Sequence, residues 1–128
     1  MPIDYPGAAA LLDRFVRARE SFDGDAWVDL FTEDAEYRPD PFEPPLVGHN
    51  ALRAWLLEAA EVESQLELTI ERHWAVGDTV LAATHGSYVR RTDRARVRFA
   101  AFLLAEVRDR RIARLRMWSH RREWPSPG

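Results

Sequence analysis

Apolar residues early in the chain recur at intervals of three and four. Leu11, Leu12, Phe15, Val16 and Phe22 fall on one helical face, predicting a helix that starts after Pro6 and breaks at Gly24. Trp27, Leu30 and Phe31 form the apolar face of a short second helix, with Asp23 or Asp25 as its cap. Residues 35–38 read as a short extended piece. Four prolines within 39–45 forbid helix and central strand, so this segment is a stiffened loop. It is expected to be ordered, with Phe42 packed down as an anchor. Gly48 closes the loop, and Asn50 is placed to cap a third helix with Leu52, Trp55, Leu56 and Ala59 inward.

Beyond about residue 63 the period changes to two. Leu66, Leu68 and Ile70 alternate with Glu67, Thr69 and Glu71, which is the signature of a half-buried strand. Further strands are expected at 79–91, 95–107 and 111–121, separated by Gly77-Asp78, Thr92-Asp93 and residues 108–110. Helices followed by a long meander predict an α+β cone: three N-terminal helices packed on a curved antiparallel sheet. Residues 1–124 form one domain, and 125–128 read as a loose tail. Folding the meander about 77/78, 92/93 and 109 places Ile70, His85, Ala100 and Trp118 in one row. Leu68, Ser87, Arg98 and His120 form the next row on the same face. The opposite face receives Glu67, Glu71, Thr84, Tyr88, Phe99, Leu103, Leu115 and Met117. One face covers the helices. The other is apolar enough to need a second cover, and a homodimer through the sheet is expected. A slip of one residue at any turn would exchange the faces. His73 is expected to be exposed.

Composition narrows the chemistry. The 128 residues include no cysteine, which excludes disulfides, thiol catalysis and cysteine-ligated metals. No apolar run is long enough to span a bilayer, and the N-terminus lacks a basic segment followed by an apolar one, so a cytoplasmic protein is expected. All 18 basic residues are arginine. Acidic residues crowd the first half and arginines the second, yet the pI is about 5.8, which favours charge matching over nucleic-acid binding. Arg94, Arg96, Arg98, Arg114 and Arg116 fall on the face of His85. Five guanidiniums cannot be buried together, so that end of the sheet lies beyond the helices or a bulge re-aims Arg114 and Arg116.

Several residues carry a resemblance. Trp27, Leu30, Phe31, Asp34, Ala35 and Tyr37, then Pro44, Pro45 and Gly48, then Ile112, Trp118 and Arg122-Glu123-Trp124 resemble the SnoaL-like branch of the nuclear transport factor 2-like superfamily over residues 8–124. The resemblance implies a cone with a pocket inside. It does not imply one activity, because that superfamily holds isomerases, cyclases, dehydratases, epoxide hydrolases and non-catalytic binders. Asp40-Pro41 is similar to the Asp-Pro base of ketosteroid isomerases, but the oxyanion-hole positions look like Phe15 and Leu103 or Phe102, which donate nothing. Limonene-type epoxide hydrolases are locally closer. Their tyrosine is kept as Tyr37, while their Arg-x-Asp and aromatic-x-Asp sites look like His85-Gly86-Ser87 and Trp118-Ser119-His120, so the catalytic carboxylates are not retained. The single Asp base of SnoaL-type polyketide cyclases also looks like His120.

The expected function is therefore cofactor-independent acid–base chemistry on a small, largely apolar organic molecule: isomerisation, cyclisation, elimination or hydrolysis. His120 is the expected base, since an imidazole titrates near neutral pH, with Asp40 as the second acid–base group or as the group that orients a histidine. Tyr37, His85 and Ser87 are expected to hold the polar end of the substrate, and Phe42, Trp55, Phe102 and Trp118 its carbon skeleton. No glycine-rich phosphate loop implies an organic cofactor, and no histidine pair has metal-ligand spacing. A non-catalytic binding or dimerisation module of the same fold is the alternative.

Overall fold

In a computed structural model, which describes residues 2–124, three helices lie against one face of a six-stranded sheet. Helix α1 (Tyr5–Ser21) begins where the Asp4 carboxylate accepts a 2.7 Å hydrogen bond from the Gly7 amide. It ends at Phe22, whose left-handed backbone stops the helix. Helix α2 (Gly24–Asp29) is capped by Asp23. Leu30 and Phe31 leave the helical register, and Phe31 opens strand β1 (Phe31–Arg38), which is longer than the extended piece expected at 35–38. After the proline loop come β2 (Leu46–Val47) and α3 (Gly48–Val62). Val47, not Asn50, occupies the cap position of α3, without a side-chain cap. His49 instead ties the helix start to β1 through a 3.0 Å contact with the Phe31 carbonyl oxygen. The helices are thus not all N-terminal to the strands: α3 follows β1 and β2.

The meander comprises β3 (Glu63–Val76), β4 (Thr79–Arg90), β5 (Arg96–Arg108) and β6 (Arg111–Trp124). The sheet order is β2-β1-β6-β5-β4-β3, and β1 runs parallel to β6, so the sheet is mixed rather than wholly antiparallel. Bulges interrupt β3 between Ser64 and Glu67 and between Ile70 and Arg72, and β5/β6 near Glu106. Extra residues on one strand bend it, and these bulges curve the sheet around the helices. The core is the interior of that curve. Trp27, Phe31, Leu52, Leu56, Leu103 and Leu115 are fully enclosed, and the Trp27 indole donates to the Leu52 carbonyl at 3.1 Å, fastening α2 to α3.

The bulges also decide which residues face the helices. Near the Gly77-Asp78 turn the β3/β4 pairing runs as expected, with Arg72 opposite Ala83. Past the bulge at Glu71 it slips by one, so Ile70 pairs with Thr84 and Leu68 with Gly86. Leu68 and Ile70 therefore lie on the face opposite His85. Across β5/β6 the slip is two residues: Ala100 faces His120 and Phe102 faces Trp118. A two-residue turn at Asp109-Arg110, both with positive φ, supplies one residue of that slip, and the bulge between Glu106 and Val107 supplies the other. An even slip keeps the face, so His85, Ser87, Arg98, Ala100, Trp118 and His120 do share one. That face is the convex, outer one. His85 and His120 are exposed there, together with Arg96, Arg98, Arg114 and Arg116. His73, expected in solvent, is half-buried on the inner side and stacks on Tyr5 with ring centroids 4.0 Å apart.

Candidate functional site

The inner face of the sheet, α1 and α3 enclose a cavity of about 90 Å³. Its apolar wall is built by Phe15 of α1, Trp55 of α3, Leu66 and Leu68 of β3, Phe99 and Ala101 of β5 and Met117 of β6. These residues reach one space because each strand contributes alternate positions and α1 contributes one helical face. Tyr37 and Trp55 meet edge to face with centroids 4.9 Å apart, and Trp55 stacks on Trp27 at 5.5 Å, so the α3 side of the wall is rigid.

The polar groups are few and concentrated. Arg19 lies four residues after Phe15, on the buried face of α1. Its Nη2 donates to Glu63 Oε1 at 3.0 Å, and both side chains are only 12% exposed. The guanidinium carbon stands 5.0 Å above the Trp55 ring. The other terminal nitrogen, Nη1, is buried without a hydrogen-bond partner. Burial pushes the Tyr37 phenol well above its ordinary pKa, with Arg19 and Arg121 pulling against that rise and Glu63 adding to it. Tyr88 is raised for the same first reason. Both phenols remain hydroxyl donors at neutral pH. Thr84 donates its hydroxyl proton to the Ala101 carbonyl at 3.0 Å. Ser119 and Arg121 stand on the exposed side of the cavity.

Of the residues expected to surround a ligand, Tyr37 and Trp55 line this cavity. His85, Ser87, Phe102, Trp118 and His120 do not, because they project from the convex face while their neighbours Thr84, Ala101, Met117, Ser119 and Arg121 project inward. His85 pairs there with Glu71 at 3.2 Å, and Trp118 lies under Arg116 at 4.9 Å. Asp40 is exposed. Its carboxylate accepts from the Phe42 amide at 2.9 Å, a local turn rather than a cavity contact. Phe42 is 93% exposed and anchors nothing within the chain, although Pro39 of the same loop touches the cavity. Sequence reasoning passed over Arg19, Glu63 and Arg121. Arg19 carried a signal, a charge on an otherwise apolar helix face. Glu63 sits at the α3/β3 junction, where neither period applies. Among the described residues no group of three or more histidine, aspartate or glutamate side chains is placed to hold a metal, and no helix is long and apolar enough to cross a membrane.

A six-stranded curved open sheet wrapped on helices around an inner cavity is the nuclear transport factor 2-like fold. Residues 12–115 match the SnoaL-like domain, and the chain belongs to that family. Solved structures agree on the fold. An epoxide hydrolase/cyclase-like enzyme, SalBIII, described for its role in pyran ring formation in the polyether salinomycin, superposes with a TM-score of 0.84 at 19% identity, over 94% of this chain and 98% of that one. An LEH-like epoxide hydrolase from M. tuberculosis gives 0.76 at 23% identity over 90% and 84%. A protein of ketosteroid isomerase-like fold from Catenulispora acidiphila, in complex with trimethylamine, gives 0.78 at 15% identity over 84% and 83%. Among curated proteins none matches the chain in sequence.

Proposed function

We propose that the chain carries out cofactor-independent acid–base chemistry on a compact, largely apolar organic molecule held in the inner cavity. The observation that carries this reading is a single carboxylate, Glu63, placed with two protonated phenols and a half-satisfied guanidinium in an apolar chamber. Glu63 is the base in this reading, replacing the His120 and Asp40 expected from sequence. It removes a proton next to a substrate carbonyl. Tyr37 and the free Nη1 of Arg19 donate to the oxyanion that forms, and Glu63 returns the proton to a different carbon in an isomerisation or to the same carbon in exchange. Removing one such donor in other enzymes costs about 10²–10³ in rate. Relatives of the same fold described as epoxide hydrolase and cyclase-like enzymes support a small-molecule chamber.

The test is a panel of small ketones, enones, lactones and epoxides incubated in D₂O and followed by proton NMR. Wild-type protein should exchange or convert at least one member. Glu63→Gln should lose about 10² or more of that rate, and Tyr37→Phe a smaller part. Unchanged exchange in Glu63→Gln removes Glu63 as base. A second reading, a non-catalytic binding module, is favoured by the engagement of Glu63 with Arg19, which keeps the carboxylate occupied. Saturable binding without conversion of any panel member would support it.

The quaternary reading belongs here too. The convex face exposes Phe102 (39%) and Trp118 (36%) beside Trp74, Leu81 and Leu104, with no helix over them. A homodimer through this face covers that apolar patch. Sedimentation at micromolar concentration should give twice 14.8 kDa, and Phe102→Arg should give the monomer. A wild-type monomer overturns the dimer.

A further inference from the structure

The polar lining of the cavity is not electrically balanced. Arg19 and Glu63 neutralise one another at 3.0 Å. Arg121 faces the same cavity from β6 and forms no ion pair among the described residues. Its register partner is the wall residue Phe99, and its side chain is exposed. It is close enough to both phenols to act on the ionisation of Tyr37 and Tyr88. Among the lining residues one positive charge thus remains outside an ion pair, alongside Tyr37, Tyr88 and the unpartnered Nη1 of Arg19. Among the described residues no acceptor answers these donors. The Trp55 face is already covered by the Arg19 guanidinium at 5.0 Å, which leaves it closed to an ammonium group.

We infer that the cavity takes a compact organic monoanion, a small carboxylic acid in its ionised form, with its carboxylate between Arg121 and the tyrosine hydroxyls and its hydrocarbon part against Phe15, Leu66, Phe99 and Met117. This deepens the reading above by naming the ligand class and rests on the same cavity being the ligand site. The charge fits: Arg121 is the one charged lining residue outside an ion pair among the described residues, and Glu123, which it influences from the same rim, is already bonded to Arg90. The donor geometry fits too, since arginine and hydroxyl donors bind carboxylate oxygens through charge-assisted bonds. So does the size. About 90 Å³ is small beside the roughly 300–1,000 Å³ of sites for drug-sized ligands. The enclosed part of the ligand is therefore a short or branched chain, and the carboxylate projects toward the open side.

Three probes of nearly equal shape separate the possibilities: isovalerate, isovaleramide and isoamylamine, titrated by calorimetry and by tryptophan emission. Isovalerate should bind at least about tenfold more tightly than the amide, and the amine should show no saturable binding. Arg121→Gln should bring the acid-to-amide ratio close to one, and Arg121→Lys should keep most of it. Arg116→Gln, on the convex face, should leave the ratio unchanged. An amide that matches the acid overturns the inference. So does a ratio that survives Arg121→Gln, a ratio equally lost in Arg116→Gln, or no saturable binding of isovalerate. None of the three probes offers Glu63 a proton next to a ketone, so the result is independent of the exchange experiment. Equal affinity for acid and amide with exchange intact removes only the anion assignment. Preference for the acid with no exchange removes only the catalysis.

Discussion

Replacing Arg19 with methionine tests whether the Arg19–Glu63 pair is a clamp inside the cavity or a solvent-relieved contact. At 3.0 Å the attraction between the two charges is on the order of 5 kcal/mol with an effective dielectric near 20. Most of that offsets the cost of taking both ions out of water, so the net worth of the intact pair is small. Removing one partner is different. Glu63 then keeps its desolvation cost, with only 12% of its side chain exposed, and loses the charge that compensated it. Such a loss typically costs about 3–5 kcal/mol, and the partial opening of the cavity to water favours the lower end. The guanidinium also leaves the faces of Trp55, at 5.0 Å, and Phe22, at 5.7 Å, worth roughly 0.5–2 kcal/mol more. For Arg19→Met we therefore expect about 4 kcal/mol of destabilisation, a fall in Tm of roughly 15 °C for a chain of this size. Arg19→Met combined with Glu63→Leu should recover most of the loss, because neither buried charge remains. Urea denaturation of the parent, both single variants and the double variant gives the coupling directly. An Arg19→Met protein that melts within about 2 °C of the parent, or a double variant as unstable as the two single losses added, would refute the clamp.

Other outcomes follow from single contacts. Trp27→Phe removes the donor to the Leu52 carbonyl and opens space in the centre of the core, so it should cost about 3 kcal/mol by denaturant titration; a loss under about 1 kcal/mol would show that the core closes over it. Gly86→Ala places a methyl group against the Glu67 carbonyl and the Phe99 ring, so β3 or Phe99 must move. It should lower stability by about 2 kcal/mol or more and weaken ligand binding, since Phe99 is a cavity wall; unchanged Tm and affinity would contradict the close approach. In the β4–β5 turn the side-chain bonds from Arg90, then the Ala95 amide, hold the Asp93 carboxyl down at about 2, and Arg90 also lowers Glu123. A depressed folded-state pKa contributes stability above the ordinary carboxylate range and loses it as pH falls toward about 2. These groups are exposed, so the effect should be modest and weakened by salt. The protection of the Ala95 amide, taken relative to its intrinsic exchange rate at each pH, should fall between about pH 4 and 2, and a constant protection there would remove the turn clamp.

Much of the architecture was readable because it rests on periodicity and on a few residues with narrow roles. The 3-and-4 spacing through Phe15, the short-helix cap at Asp23 and the Gly77-Asp78 turn each depend on local chemistry that sequence displays directly. The parallel pairing of β1 with β6 was not readable, because it joins segments some eighty residues apart and leaves no periodic trace. Nor was Phe42. Four prolines restrict the backbone around it, but a fixed φ does not determine where a side chain packs, and Phe42 ends in solvent.

The site failed to appear for a sharper reason: a face is a parity, and apolar content did not decide which parity pointed inward. Both sides of the meander carry large hydrophobics in mid-sheet, Leu103, Phe99 and Met117 on one, Phe102, Leu104 and Trp118 on the other. Burial alone was therefore ambiguous. The arginines held the answer. Arg96, Arg98, Arg114 and Arg116 share the parity of His85 and His120, and several guanidiniums on one face require water or partner carboxylates. Arg114 finds Glu36 and Glu106, while Arg98 and Arg116 lie over Trp124 and Trp118 in solvent. That cost fixes the His85 face as the outer one, without knowledge of any bulge. The inner parity then selects Thr84, Tyr88, Ser119 and Arg121 as the polar groups left for the cavity. Arg121 is the one arginine of β6 among them, and its inward parity is the observation from which we infer a small anion as the ligand of the chamber.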